Sequence, residues 1–141
     1  MASRDNLEFF VGSAGKLEVW TPAPNIVCSR VEGHLDLGMY PSILKRCQEV
    51  VDSGRRLISF HDWQDMSGYD TGARTEMTLW CLAHAKSLDD AHLLVKHQVV
   101  ALGVSIAAVL VRNLKTYTER AAFQEALRRL SQPGQRRAVG G

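Results

Sequence analysis

Residues 61–74, HDWQDMSGYDTGAR, follow an apolar run and open a helical pattern, and they hold the densest set of reactive side chains in the chain. An imidazole and two carboxylates, His61, Asp62 and Asp65, are a donor set for a divalent metal and for metal-assisted hydrolysis, provided a loop turns them toward one point. No H-E-x-x-H or C-x-x-C accompanies them, which favours a polar loop. Asp70 and Thr71 stand where a helix begins, and a short side-chain oxygen at that place can accept from the free amides of the first turn. The Thr71 hydroxyl is also phosphorylatable, and first-turn amides with Arg74 would suit an anion or a lipid headgroup. Capping, a phospho-switch and ligand binding are all open on these residues.

The remaining chemistry is thinner. GVSIA (103–107) approaches the G-x-S-x-G elbow, but no Asp or His follows Ser105, so a triad in hydrolase order is excluded and Ser105 is expected in a tight packing contact. GSAGKL lacks the P-loop's earlier glycine and its Ser or Thr after the lysine, and reads as a hairpin turn. His92 and His97 are an odd number apart, so on a strand their rings point to opposite faces. His84 falls on an apolar helical stripe and reads as a hydrogen-bonded core or interface histidine. No cofactor or metal site is expected.

These residues need elements to hold them. LEFFV and KLEVW around GSAG predict a β-hairpin that Pro22 and Pro24 end, and NIVCSRVEGHLD predicts a further strand. Met39, Ile43, Leu44, Cys47, Val50 and Val51 recur at helical spacing, with Gly54 as its stop. RRLISF is a short strand, and a second helix runs from Thr71 to about Leu88 with Ala73, Met77, Trp80, Cys81 and His84 on one stripe. AHLLVKH reads as a buried strand. QVVALGVSIAAVLV divides at Gly103 into a short helix and a last strand near 107–111, and a final helix starts at Tyr117 or Thr118. Trp63 and Tyr69 sit on the loop, exposed for an interface or covering the sheet edge.

The alternation predicts an α/β sandwich with a mixed sheet. Its organisation is a hairpin extension (1–24), a core domain (25–131) and a flexible tail (132–141). At 141 residues the chain can bury a core, and its 45% hydrophobic and 23% charged residues are ordinary for a globular domain. A net charge of +2 gives no clustered basic face for nucleic acid. Cys28, Cys47 and Cys81 stand among apolar neighbours and read as buried free thiols of a reducing compartment, hence the cytoplasm. No signal peptide and no transmembrane segment is expected. The Ala-rich, Gly-containing stretch 99–111 would permit close packing in a homodimer.

GHLD (33–36), DWQDMSG (62–68) and DTGA (70–73) stand in an order and at separations that resemble the STAS domain, in particular its divergent SpoIIAA-like, anti-sigma-factor-antagonist-like branch. TYTERAAFQEAL resembles that family's last helix, and the resemblance covers about 25–130. It implies a SpoIIAA-like α/β sandwich and a non-catalytic regulatory module that docks a protein partner, a kinase or an anti-sigma-like protein. The contact surface would lie around His34, Asp36, Asp62, Ser67, Asp70, Thr71 and Arg74. Thr71 occupies the position of the family's phosphorylated serine, and a phosphate there would reverse the local charge. Gly72 and Arg74 depart from the family pattern. The alternative is a small-molecule or lipid carrier, since divergent members resemble lipid-binding folds and 99–111 is unusually apolar; a metal-assisted hydrolase on His61, Asp62 and Asp65 is the third reading.

Overall fold

The computed structural model describes residues 6–132, so the expected tail lies almost wholly outside the described residues. The elements are β1 (Glu8–Val11), β2 (Gly15–Ala23), β3 (Ile26–Leu35), α1 (Tyr40–Asp52), β4 (Leu57–Tyr69), α2 (Thr71–Ala83), a 3-10 turn (Ala85–Ser87), β5 (Leu88–Val95), α3 (Gln98–Leu110), β6 (Leu114–Tyr117) and α4 (Arg120–Leu130). All six strands form one mixed sheet in chain order, with β1, β2 and β3 antiparallel and β3 to β6 parallel. A parallel neighbour requires a crossover, and crossovers are right-handed. Adding strands in one direction therefore places α1, α2 and α3 on the same face. Side chains of those helices share a core with Leu17, Val19, Val27, Val31, Leu57 and Leu93. Phe123 and Ala126 of α4 cover the other face, over Ile26, Cys28, Phe60 and Leu94.

The hairpin, the β3 strand, α1 and the buried strand β5 form where the apolar pattern predicts them. Gly54 follows the α1 C-cap with φ +83°, the left-handed conformation that ends a helix at little cost to glycine. Pro22 does not end its strand: it lies inside β2, where pairing with β3 is irregular between Trp20 and Ala23 and where β1 no longer reaches.

The largest correction concerns β4. Its sequence turns polar after Phe60, and a short strand followed by a loop was the natural reading. The strand instead continues to Tyr69, because β3 pairs with it as far as Leu35↔Tyr69 across two irregularities. β5 stops opposite Trp63, which leaves the last part of β4 open on that side. Trp63 is consequently a buried strand residue rather than an exposed loop aromatic.

Residues 98–110 form a single helix rather than a helix and a strand. Gly103 is the reason the division failed: it marks a close contact, since a Cβ there would meet the Tyr69 ring, with Cζ at 2.7 Å. Ser105, expected in the tight contact, is exposed and donates to the Ala101 carbonyl (2.9 Å). The last strand is LKTY, β6, and α4 starts two to three residues later than expected. His97 lies beyond β5, where its Nδ1 accepts from the Val99 amide at the start of α3 (3.2 Å), so the rings of His92 and His97 do not share a strand.

Two imidazoles are buried, one on each face. His92 stacks on Phe60 (centroids 4.2 Å apart) and its Nδ1 lies 2.8 Å from the Tyr117 hydroxyl. Burial lowers it to about 4, with Asp90 opposing and Lys115 and Arg129 adding to the shift. His61, on the other face, is likewise lowered by burial to about 4, helped by the charge of His92. Between their ordinary value of 6.5 and about 4 the unfolded chain binds protons that the folded chain does not. The stability is therefore present above pH 6.5 and is lost as pH falls toward 4, by roughly 1.4 kcal/mol per pH unit for each ring once well below 6.5.

The urea midpoint should fall between pH 7 and pH 5, and His92→Gln should flatten that fall by about half because one of two rings is removed. A midpoint independent of pH in this range would contradict the buried neutral rings. Gly103→Val should lower stability by about 1–3 kcal/mol in chemical denaturation, since the Tyr69 ring must move to admit it.

A candidate ligand cavity and the start of the second helix

Alternation along β4 decides which of its side chains share a site. Leu57, Ser59, His61 and Trp63 face the three crossover helices, whereas Ile58, Phe60 and Asp62 face α4. The carboxylate of Asp62 takes a bidentate pair from Arg120 at the start of α4 (2.7 and 3.0 Å), and the Arg120 Nε donates to Gln64 (2.8 Å). Asp65 is exposed, 3.5 Å from Arg30. His61, Asp62 and Asp65 thus diverge, which counts against the metal-assisted alternative. No cluster of three metal-ligating side chains occurs among the described residues.

The helix-facing set lines a cavity. Its walls are Leu57, Ser59, His61 and Trp63 of β4, Ala91 and Leu93 of β5, Ile43, Leu44 and Cys47 of α1, Arg74, Met77, Thr78, Trp80 and Cys81 of α2, and Val100, Gly103, Val104 and Ala107 of α3. About 90 Å³ is open to the centre of a water-sized sphere, against the roughly 10–15 Å³ that one water needs. Most of the wall is apolar, and Arg74 is the one residue of fixed charge in it among the described residues.

Several polar groups of the wall have defined partners. Trp63 donates its indole N–H to Ser29 Oγ (3.2 Å), and Ser29 Oγ lies 2.7 Å from His61 Nδ1. Trp80 donates to Gln48 (3.0 Å), and the Thr78 hydroxyl donates to the Arg74 carbonyl (2.8 Å). Arg74 Nε is buried without a hydrogen-bond partner. Burial pushes the Cys81 thiol up to about 11 and the Cys47 thiol further, so both stay protonated and unreactive near neutrality. All three cysteines are free, as their spacing predicted, although Cys81 is only partly buried.

A second cluster forms where β3 and β4 end. Asp70 is the N-cap residue of α2 in extended conformation, yet its side chain caps nothing. Its carboxylate meets His34 Nε2 (2.8 Å) and accepts from the Leu37 amide (2.9 Å), which corrects the expected capping role. The His34 bond, then the Leu37 amide, hold that carboxyl below its usual range. Asp36 accepts from the Gly38 and Met39 amides (2.8 and 3.0 Å) and shapes the entry to α1. Thr71 and Gly72 are exposed. His34, Asp36, Asp70 and Thr71 are therefore gathered at one end of the sheet. Ser67 is exposed nearby on β4, Arg74 belongs to the cavity wall, and Asp62 lies on the opposite face. His84 stacks on Trp80 (4.2 Å), with Nδ1 2.8 Å from the Trp80 carbonyl, in keeping with a hydrogen-bonded histidine on the apolar stripe.

Ser29 and Arg120 were not singled out from the sequence. Ser29 stands in a Val-rich strand with no motif, and only its pairing opposite His61 gives it a role. The L-S-H-W alternation at 57, 59, 61 and 63 was the legible signal for the cavity wall.

No family model matches the chain, and no curated protein matches it. Among solved structures it resembles the crystal structure of an uncharacterized protein of the DUF3478 family from Shewanella loihica PV-4, described as having a SpoIIAA-like fold. The two share 12% identity with a TM-score of 0.56, over 90% of this chain and 98% of that one. At this identity the likeness is one of backbone architecture. The mixed six-stranded sheet, its three crossover helices on one face and α4 on the other make up a SpoIIAA-like fold.

Proposed function

We propose that the chain is a non-catalytic STAS-like module that binds a small apolar molecule between its sheet and helices α1 to α3. The observation that carries this is the apolar cavity itself, larger than a packing defect and walled by all three crossover helices. The hydroxyl nearest an imidazole, Ser29, is fully buried and bonded on both sides, which suits a framework better than a nucleophile. The free thiols support a reducing, cytoplasmic setting. Among the described residues no helix is long and apolar enough to cross a membrane.

A second reading, regulatory docking of a protein partner at the start of α2, is favoured by the exposure of Thr71 and by the lack of a side-chain cap there. A phosphate on Thr71 would switch that surface. The apolar stripe Val99, Leu102, Ile106 and Val109 on α3 is the exposed surface that would serve the expected homodimer.

Nile red, a neutral apolar dye, should bind saturably at one site and quench the emission of Trp63 and Trp80 in the wall. Val104→Trp, which fills the cavity, should abolish binding while the protein still melts cooperatively. Dye binding that survives this filling would place the dye elsewhere and defeat the cavity reading. For the docking reading, Thr71→Glu should release a partner retained by the wild-type protein. It should not lower Tm, since a carboxylate near a helix N-terminus contributes about 0.3–1 kcal/mol of stability. Equal retention by both proteins would count against a switch at Thr71.

A further inference from the structure

We infer that the molecule held in this cavity is a single-chain amphiphile with a carboxylate head, anchored by Arg74. The inference deepens the apolar-cavity reading and rests on it. Its starting point is an imbalance of charge: Arg74 contributes a guanidinium to a wall that contains no carboxylate, and its buried Nε makes no hydrogen bond. A buried donor left without an acceptor is costly, and more so when it carries charge. The neighbouring polar groups of α2 do not relieve it, because the Thr78 hydroxyl is turned to a backbone carbonyl and the Trp80 indole is itself a donor to Gln48.

The histidine of the wall is no anion either: its Nδ1 is engaged with Ser29 Oγ, which accepts the Trp63 N–H. The cavity therefore offers a cation and no anion. Nε and the adjacent Nη of a guanidinium form one of its bidentate edges, whose spacing matches the two oxygens of a carboxylate. The apolar wall beyond, from Leu57 and Leu93 to Val100 and Val104, suits an alkyl chain.

The test uses the whole chain with decanoate, decanol and decyltrimethylammonium below their aggregation concentrations, read by tryptophan emission and by calorimetry. Decanoate should bind about ten-fold or more tightly than decanol, as a charge-assisted bidentate contact implies, and the ammonium should bind least. Arg74→Met should remove the preference for decanoate over decanol, whereas Arg74→Lys should keep part of it; cooperative melting of both variants secures the comparison. Equal binding of decanoate and decanol, or an unaltered preference in Arg74→Met, overturns the head-group inference while the cavity reading stands. Failure of all three probes and of the neutral dye overturns both.

Discussion

The structure depends on the position of β4 between β3 and β5. Thirteen residues long and paired on both sides over its first half, it carries the contact between the two cores. Its odd-numbered residues up to Trp63 face α1, α2 and α3, and the even-numbered ones face α4. Each face is then completed differently. The α4 face closes tightly, with Phe60 stacked on His92 and edge-on to Phe123 and with Asp62 tied to Arg120. The other face is bridged by three helices that do not fill the space between them.

That difference has a physical origin. One helix can settle onto a sheet until its side chains interdigitate. Three crossover helices are bound to the strand ends they connect and to one another, so a local shortage of volume cannot be closed by moving one of them. At α3 the approach to β4 is already limited by contact of Gly103 with the Tyr69 ring. The small residues of α3, Gly103 and Ala107, line the cavity where larger ones would have filled it. The helix meanwhile leaves Val99, Leu102, Ile106 and Val109 exposed, an apolar outer stripe beside an apolar inner wall.

Charge is distributed with the same division. Away from the cavity several arginines have carboxylate partners: Arg46 with Glu8, Arg56 with Asp89, Arg120 with Asp62 and Arg128 with Glu125. Asp70 is held by His34 and the Leu37 amide rather than by the helix that it precedes, so the β3–α1 turn and the start of α2 are tied to each other. This leaves Thr71 at the surface, and it leaves Arg74, one turn further, to face the cavity. The same helix start thus presents an exposed hydroxyl and, one turn on, a guanidinium in the cavity wall.

The motif order GHLD, DWQDMSG and DTGA led to the SpoIIAA-like fold, and hydrophobic periodicity placed the hairpin, β3, α1, α2 and β5, because those elements bury a regular stripe or alternate cleanly. Where the pattern failed, pairing or packing decided. β4 runs on through Asp62, Gln64, Asp65 and Gly68 because β3 lies beside it, and α3 persists through Gly103 because that glycine is a contact and not a break. The residue types at 61–74 were evident from the sequence, but their meaning was not: alternation sent His61 and Asp62 to opposite faces, and Asp70 took a partner 36 positions away. By itself the sequence determined which segments seek burial, and in what order. Which polar groups end up satisfied, and that Arg74 is left with an open donor above an unfilled apolar space, were decided by tertiary structure, since only three-dimensional packing brings distant residues into hydrogen-bond range.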